Sequence, residues 1–494
     1  MQGGGRFVTL QMGCRSGAQP HVGIPDTWED WSRSMARLGT PVTGHTRRGL
    51  LTIIGTAFVT AGVACQASRP APAAQRTPDP STLLKGVRLR ASTWLSGGHD
   101  AVVTSFFKEF EERYPGARIE HETGQTDERL RAQFAGGTPP DLFFMGPQAT
   151  LLIVSKAAAA LDGYIRRDRM DIGDFFDRAV QQFRLGGLTY GLPYDFSSNV
   201  IYYNVELFRR AGLPLPPSDW KAPGWTFQDF LDAAKRLTQR AGAEAQVWGY
   251  GVGVRQWASW MAANGGWYLN AERNQLAMAE PATVEALQFL HDLIFMHRVS
   301  PTLEQAQQAG GLYSLFESGR LAMYTAGPAE LVQHRPLPFE WDVAVHPVGR
   351  GLRATTGSGA AWALALSGIQ RDAAWELCKF ITSRNVQMRH MLRGMKAPVR
   401  KSVAQVPEYL HDAPPKSMAV FAEAPYYAVT EPQMTNWTQV LAQIQSEVTR
   451  ILRSETGPSE ALQALKTALD PLVQESAAAL GAFTGDTGCG CAAR

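Results

Sequence analysis

Cysteine is scarce: five occur in 494 residues. Cys14 and Cys65 precede the part that reads as folded, and Cys489 and Cys491 sit in "TGCGCAAR" at the extreme C-terminus. That last pair is too isolated for a zinc site, which takes four ligands. Cys378 lies alone in "AAWELCKF", a helical pattern in which a lone thiol acts as a small buried apolar group. A disulfide framework is therefore excluded as the basis of the fold. A surplus of charge is also missing where it would count. The formal net charge is +3, from 48 basic and 45 acidic residues. Residues 1–65 hold six of the arginines and three of the acids, which leaves 42 of each sign beyond Cys65. A nucleic-acid partner would call for a basic surplus in the folded part, so none is expected. Catalytic motifs are absent too. "HETGQ" at His121 lacks the second histidine of a metalloprotease helix. Thr356 and Ala360 stand where a nucleophile elbow around Ser358 needs glycine. No phosphate-cradling Gly-Lys-Ser/Thr loop appears, and "GSGAA" lacks the third glycine of a dinucleotide fingerprint. Neither a cofactor nor a metal is expected.

What is present begins with "TRRGLLTIIGTAFVTAGVAC", Thr46 to Cys65. Gly49 to Ala64 is uncharged over 16 residues, short of the about 20 that span a bilayer. With Arg47 and Arg48 as its positive flank it suits the core of an export signal, by the twin-arginine route or by ordinary secretion. Cys65 resembles the lipidated cysteine of bacterial lipoproteins, although Gly62 stands where those signals carry a large aliphatic. The alternative is an unlipidated cut near "VACQA". Met35 is a plausible start for this leader. Residues 1–65 thus read as extension and signal. Residues 66–85, rich in Pro, Ala and polar residues, read as a tether.

Beyond the tether, "VRLRASTW" alternates as a strand, and "DAVVTSFFKEFEERYPG" is a helix. Val103, Phe106, Phe107, Phe110 and Tyr114 recur at helical spacing, Asp100 stands at its start, and Pro115-Gly116 ends it. "ARIEHETG", "TDERLRAQFAGGTPPD" and "DLFFMG" continue a β-α-β-α-β order, which predicts a parallel sheet with crossover helices. Ligands of such sheets sit beyond the carboxyl ends of the strands. Trp248, Tyr250, Trp257, Trp260, Trp267 and Tyr268 then crowd a later segment.

Taken in order, "FFKEFEERYPG", "AGGTPPDLFFMG", "GLPYDFSSNVIYYN", "LFRRAGLP", "WTFQDFLDAAKRLT", "FESGRLAMYTAGP" and "PVRKSV" resemble the extracellular solute-binding proteins of ABC importers, in particular those for sugars and oligosaccharides. The resemblance runs from about Val87 to the end. It implies an α/β, two-lobed periplasmic-binding-protein fold with an interlobe ligand cleft and hinge strands. Lobe one would take residues 86–195 plus 350–385, and lobe two 196–349 plus 386–494. It implies a monomeric, non-enzymatic receptor that closes on a small solute and docks on permease subunits, held at the membrane by a lipid on Cys65 or free in the periplasm. A receptor for a glycerol phosphodiester or another non-sugar solute, and a glycan-active enzyme, are the alternatives.

Sugar recognition sets aromatics against ring faces and Asp, Asn, Gln or Arg against hydroxyls. Trp94 ends the first strand and either faces the cleft or fills a lobe core. Gly97 brings backbone amides near the ligand or simply turns the chain. Gln125 follows the second strand, in the cleft or in a solvated loop, and Gly146 and Gln148 follow the third. Asp195, after "GLPY", is the principal acid: near the first interlobe crossing a carboxylate can accept two hydroxyl donors. Its plainer role is to cap a turn. Asn199 is its companion. Trp257 and Trp260 share a helix face, which reads as core, whereas Trp267 follows Gly265-Gly266 and is the stacking candidate. Gly327 marks a tight turn in "YTAGPAEL". There Ala329 replaces the aromatic often found in oligosaccharide-binding relatives. Ser358 begins the return to lobe one. Trp437, in "EPQMTNW", matches the late stacking tryptophan of the family or packs its helix. Arg393, in "LRGMKAPVR", favours an anionic solute or is solvated.

Overall fold

The computed structural model describes residues 79–484, except 96–97, 243, 351–352 and 393–396. The export signal, Cys65, Gly97 and Arg393 lie outside the described residues. Along the chain, β1 (Arg88–Ser92), α1 (Gly98–Arg113), β2 (Arg118–Glu122), α2 (Asp127–Ala135), β3 (Leu142–Met145) and α3 (Ala149–Val154) alternate as the patterning predicts. A crossing follows through β4 (Leu192–Pro193), β5 (Ser197–Ser198) and β6 (Val200–Asn204). Next come α4 (Phe227–Leu237), α5 (Trp257–Ala263), α6 (Pro281–Phe295), β7 (Met323–Ala326) and β8 (Trp341–Ala344). The chain returns through β9 (Thr355–Ser358) and β10 (Ala361–Leu364) to α7 (Arg371–Ile381). It crosses again to β11 (Ala428–Val429), α8 (Trp437–Leu452) and α9 (Pro458–Gly481).

Lobe one is built on a five-stranded sheet in the order β2-β1-β3-β10-β4. The pairs β1–β2 and β1–β3 are parallel, with Leu89 opposite Ile119 and Ser92 opposite Phe143. The returning strand β10 lies antiparallel between β3 and β4. Helix α1 buries Val103, Phe106, Phe107 and Phe110 on this sheet, as their spacing predicts. Each such side chain contributes on the order of 1.5–3 kcal/mol by transfer from water. Asp100 lies in the first turn instead of capping it, because the helix begins earlier, at Gly98. There its charge still complements the helix dipole. Lobe two is built on an antiparallel sheet, β7-β6-β8. Its α4 starts at a reciprocal capping box between Thr226 and Asp229. Trp257 and Trp260, both 1% exposed, fill its core. Phe175 and Phe176, from the span read as lobe one, are buried with Val200, Tyr202 and Phe421 of lobe two. Cys378 is wholly buried, and burial pushes its thiol far up.

Between the lobes, β5, β9 and β11 form a small hinge sheet, with β9 central. β9 runs antiparallel to β5 and parallel to β11. The first two crossings approach closely at Gly359, where a Cβ would fall 1.9 Å from the Asp195 carbonyl oxygen.

Candidate functional site

A cavity of about 490 Å³ opens where the first turns of α2 and α3, from lobe one, face the first turn of α8, from lobe two. Asp127, Glu128 and Arg131 of α2, Gln148 before α3, and Asn436 and Trp437 of α8 line it. Thr126 caps α2 by accepting the Arg129 amide N–H. This sets both acids in the first turn, beyond the carboxyl end of β2. Burial, and secondarily the neighbouring Glu128 charge, raise the pKa of Asp127. Glu128 and Arg131 stand 3.8 Å apart and are largely exposed, so their pairing is weak and leaves both free to meet a ligand. Asn436 donates to the Leu472 carbonyl at 2.9 Å, while its buried Oδ1 has no protein partner.

Trp437 reaches the cavity from the lobe-two core. It is 1% exposed. Its indole N–H donates to Glu431 Oε2 at 2.8 Å, and its ring meets Tyr268 edge to face at 5.0 Å. Tyr268 in turn meets Trp257 at 5.9 Å. Burial raises the pKa of Glu431, and the indole bond opposes that rise.

A second cavity, of about 180 Å³, sits on the hinge sheet. Ser197 and Asn199 from the first crossing, Thr356 and Ser358 from the second, and Arg255 and Glu431 from lobe two line it. Asn199 Nδ2 donates to Ser259 Oγ at 3.2 Å and Thr356 Oγ1 at 3.1 Å. Those two hydroxyls share a bond of 2.6 Å, and Thr355 Oγ1 donates to the Asn199 carbonyl at 2.6 Å. This net of neutral groups joins both crossing strands to α5. Helix α8 borders both cavities: Gln439 and Ala442 face the larger, Leu441 and Gln445 the hinge cavity.

Of the residues singled out from sequence, Gln148 and Trp437 meet at the larger cavity, and Asn199 and Ser358 meet at the hinge cavity. Trp94 is 36% exposed and packs edge to face on Phe144 at 5.1 Å. A Cβ on Gly146 would lie 2.9 Å from its ring and 3.5 Å from Gln148 Oε1, so these three are neighbours. Gly327 accepts the Tyr202 hydroxyl at 2.8 Å and stands near Asn199. Gln125 turns into lobe one and donates to Gln133 at 2.8 Å. Trp267 packs on Ala262, Ala354 and Val429. Asp195 is 2% exposed, and its carboxylate accepts the Ala360 amide N–H at 2.9 Å. It fastens the two crossings and lines neither cavity.

Sequence reasoning passed over Asp127, Glu128, Arg131, Arg255, Tyr268 and Glu431. The α2 residues had a legible signal, since they follow the second strand of a parallel βαβ unit. Glu431 and Tyr268 had none, because their neighbours come from distant parts of the chain. Among the described residues, no group of three or more His, Cys, Asp or Glu is placed to hold a metal.

The family profile of the bacterial extracellular solute-binding proteins matches residues 97–388. A binding protein of Brucella abortus is 23% identical over 350 residues, covering 67% of this chain and 80% of the relative. An ABC substrate-binding protein of Listeria monocytogenes, solved with cycloalternan, superposes with a TM-score of 0.68 at 25% identity, covering 78% of this chain and 98% of that one. UgpB of Mycobacterium tuberculosis, solved with glycerophosphocholine, superposes at 0.66 with 20% identity, covering 79% and 99%.

Proposed function

We propose that this chain, which belongs to the bacterial extracellular solute-binding proteins, captures a carbohydrate in its interlobe cleft and hands it to the permease of an ABC importer. One observation carries the reading. A cavity of about 490 Å³ is walled by both lobes, and its lining sets the amides of Gln148, Asn436 and Gln439, the hydroxyls of Thr435 and Thr438 and the charged Asp127, Glu128 and Arg131 beside leucines and Trp437. That donor and acceptor set suits hydroxyl groups. Walls on both lobes mean that only a closed form touches the solute from both sides, so the solute favours closure about β5, β9 and β11. The receptor makes and breaks no bond. It is exported, with Cys65 as its lipid attachment, which the intact mass of the mature chain tests. Among the described residues no helix is long and apolar enough to cross a membrane.

The function is tested by thermal melting and small-angle scattering with a panel of sugars. A cognate sugar at 100 times its Kd adds about 2.7 kcal/mol of stability and contracts the particle, and no product forms. Turnover of any sugar in the panel, or the absence of any saturable response, overturns the reading.

A further inference from the structure

We infer that the solute carries a singly charged oxyanion and seats it on Arg255 at the hinge. The inference deepens the reading of the cleft as a solute site and rests on it. Among the described residues Arg255 forms no ion pair and no hydrogen bond, although it lines the hinge cavity. A guanidinium is a permanent cation with five donors in a planar fork, matched to carboxylate and phosphate oxygens. Here it stands over a chamber whose other polar walls are mostly neutral. The one acid that lines this cavity, Glu431, makes no ion pair with it. Glu431 spends one oxygen on the Trp437 indole, and burial shifts its carboxyl towards the neutral form.

The surroundings complete an oxyanion seat. Ser197 and Ser358 are direct partners across the antiparallel hinge pair, so two hydroxyls from separate crossings border the same chamber. Neither side chain is drawn into the net that ties Asn199, Ser259 and Thr356. At the larger cavity, Asp127 and Glu128 outnumber the one cation, Arg131, so the balance of charge there disfavours an anion. The two cavities therefore orient the solute, with its charge at the hinge and its neutral hydroxyls towards lobe one. Arg255 is exposed, so water satisfies it when no solute is bound, and an oxyanion seated on it replaces that water with a charge-assisted, two-pronged pair that a neutral sugar cannot offer. Two chemistries supply such a group on a hydroxylated carrier: the carboxylate of a uronate sugar and the phosphodiester of a glycerol phosphodiester.

Calorimetric titration of the full chain separates them. The probes are D-glucuronate and D-galacturonate, their neutral counterparts glucose and galactose, and glycerophosphocholine. An acidic probe is expected to bind about 10- to 100-fold more tightly than a neutral one, the range of one charged hydrogen-bonded contact. Arg255→Gln is expected to remove that advantage. Arg255→Lys should keep part of it, and apo melting should not move, because no partner is lost. Binding of a uronate with these responses supports the inference and the carbohydrate reading together. Binding of glycerophosphocholine alone, weakened by Arg255→Gln, supports the inference and overturns the carbohydrate reading. Neutral sugars binding at least as tightly as acidic ones, unaffected by Arg255→Gln, overturn the inference and leave the carbohydrate reading standing. Silence from every probe overturns both.

Discussion

Gly359→Ala is a direct test of the hinge. A Cβ there would fall 1.9 Å from the Asp195 carbonyl oxygen, whereas real Cβ atoms stay beyond 3.0 Å, so one crossing must move by at least about 1 Å against the other. The obstacle is backbone, which cannot swing aside as a side chain does. Gly359 is outside the left-handed region, so the effect is steric and does not arise from backbone preference. The same shift stretches two bonds. The Ala360 N–H to Asp195 Oδ1 bond is 2.9 Å and the Tyr194 N–H to Ala360 carbonyl bond is 2.8 Å, and 1 Å more takes both past the range of a hydrogen bond. Losing an amide–carboxylate bond costs about 1.5–3 kcal/mol and a neutral one about 0.5–1.5, and overpacking adds about 1–3. The expected destabilisation is at least about 3 kcal/mol, which lowers Tm by roughly 3–4 °C for a folded part of some 400 residues. Solute affinity should fall as well, because the displaced crossing sets how the lobes meet. Scanning calorimetry and titration with a bound sugar measure both. A variant that melts within 1 °C of the parent and binds equally well would falsify the reasoning. Asp195→Asn is the companion variant: it keeps an oxygen for the Ala360 amide, so affinity should change less than about 3-fold if Asp195 is a fastener. A loss of about 100-fold or more would return it to the ligand.

Two further perturbations test other parts of the structure. Burial lowers the pKa of His334 to about 4 and that of His346 to about 3. Above an unfolded pKa of about 6.5 both states are neutral; below it the unfolded chain takes protons that the folded chain refuses, so stability falls with pH. The loss at pH 5 relative to pH 7.5 is about 2 kcal/mol per histidine. His346→Leu should remove one of these, since neither ring nitrogen of His346 has a partner to orphan; an unchanged acid slope in chemical unfolding refutes this. Gly146→Ala places a Cβ 2.9 Å from Trp94 Cη2. The indole is partly exposed and can rotate, so stability should drop by less than about 1 kcal/mol. A loss of sugar affinity in that variant places Trp94 at the ligand, and unchanged affinity makes it a wall of lobe one.

What was legible in the sequence divides by the range of the interaction that decides it. The phenylalanines of α1 and the pair Trp257 and Trp260 declare their burial through helical spacing, which a short window contains. The capping box at Thr226 is equally local. Asp195 reads as a ligand or a turn cap because it follows a strand near a crossing. One of its contacts is the Ala360 amide, 165 residues away, and no local pattern carries that. Trp437 resembles a stacking residue and lines the larger cavity, but its neighbours Glu431 and Tyr268, the latter from much earlier in the chain, are not legible from its own segment. Arg255 adjoins a run of buried tryptophan and alanine and drew no notice beside it.

The hinge leaves a trace of its own that is legible in hindsight. Ser197-Ser198-Asn199 interrupts apolar residues between Phe196 and Val200, and Thr355-Thr356-Gly357-Ser358 does the same between Ala354 and Ala360. A strand inside a lobe can be apolar on both faces because sheet and helices cover it. A strand that crosses between lobes has a cleft beside it, so its side chains must be satisfied by one another or by solute. Neutral hydroxyls and an amide do this without a fixed charge: Asn199, Ser259 and Thr356 bond among themselves. Placed beside such a neutral net, the unpaired Arg255 is the group whose partner the chain does not itself supply.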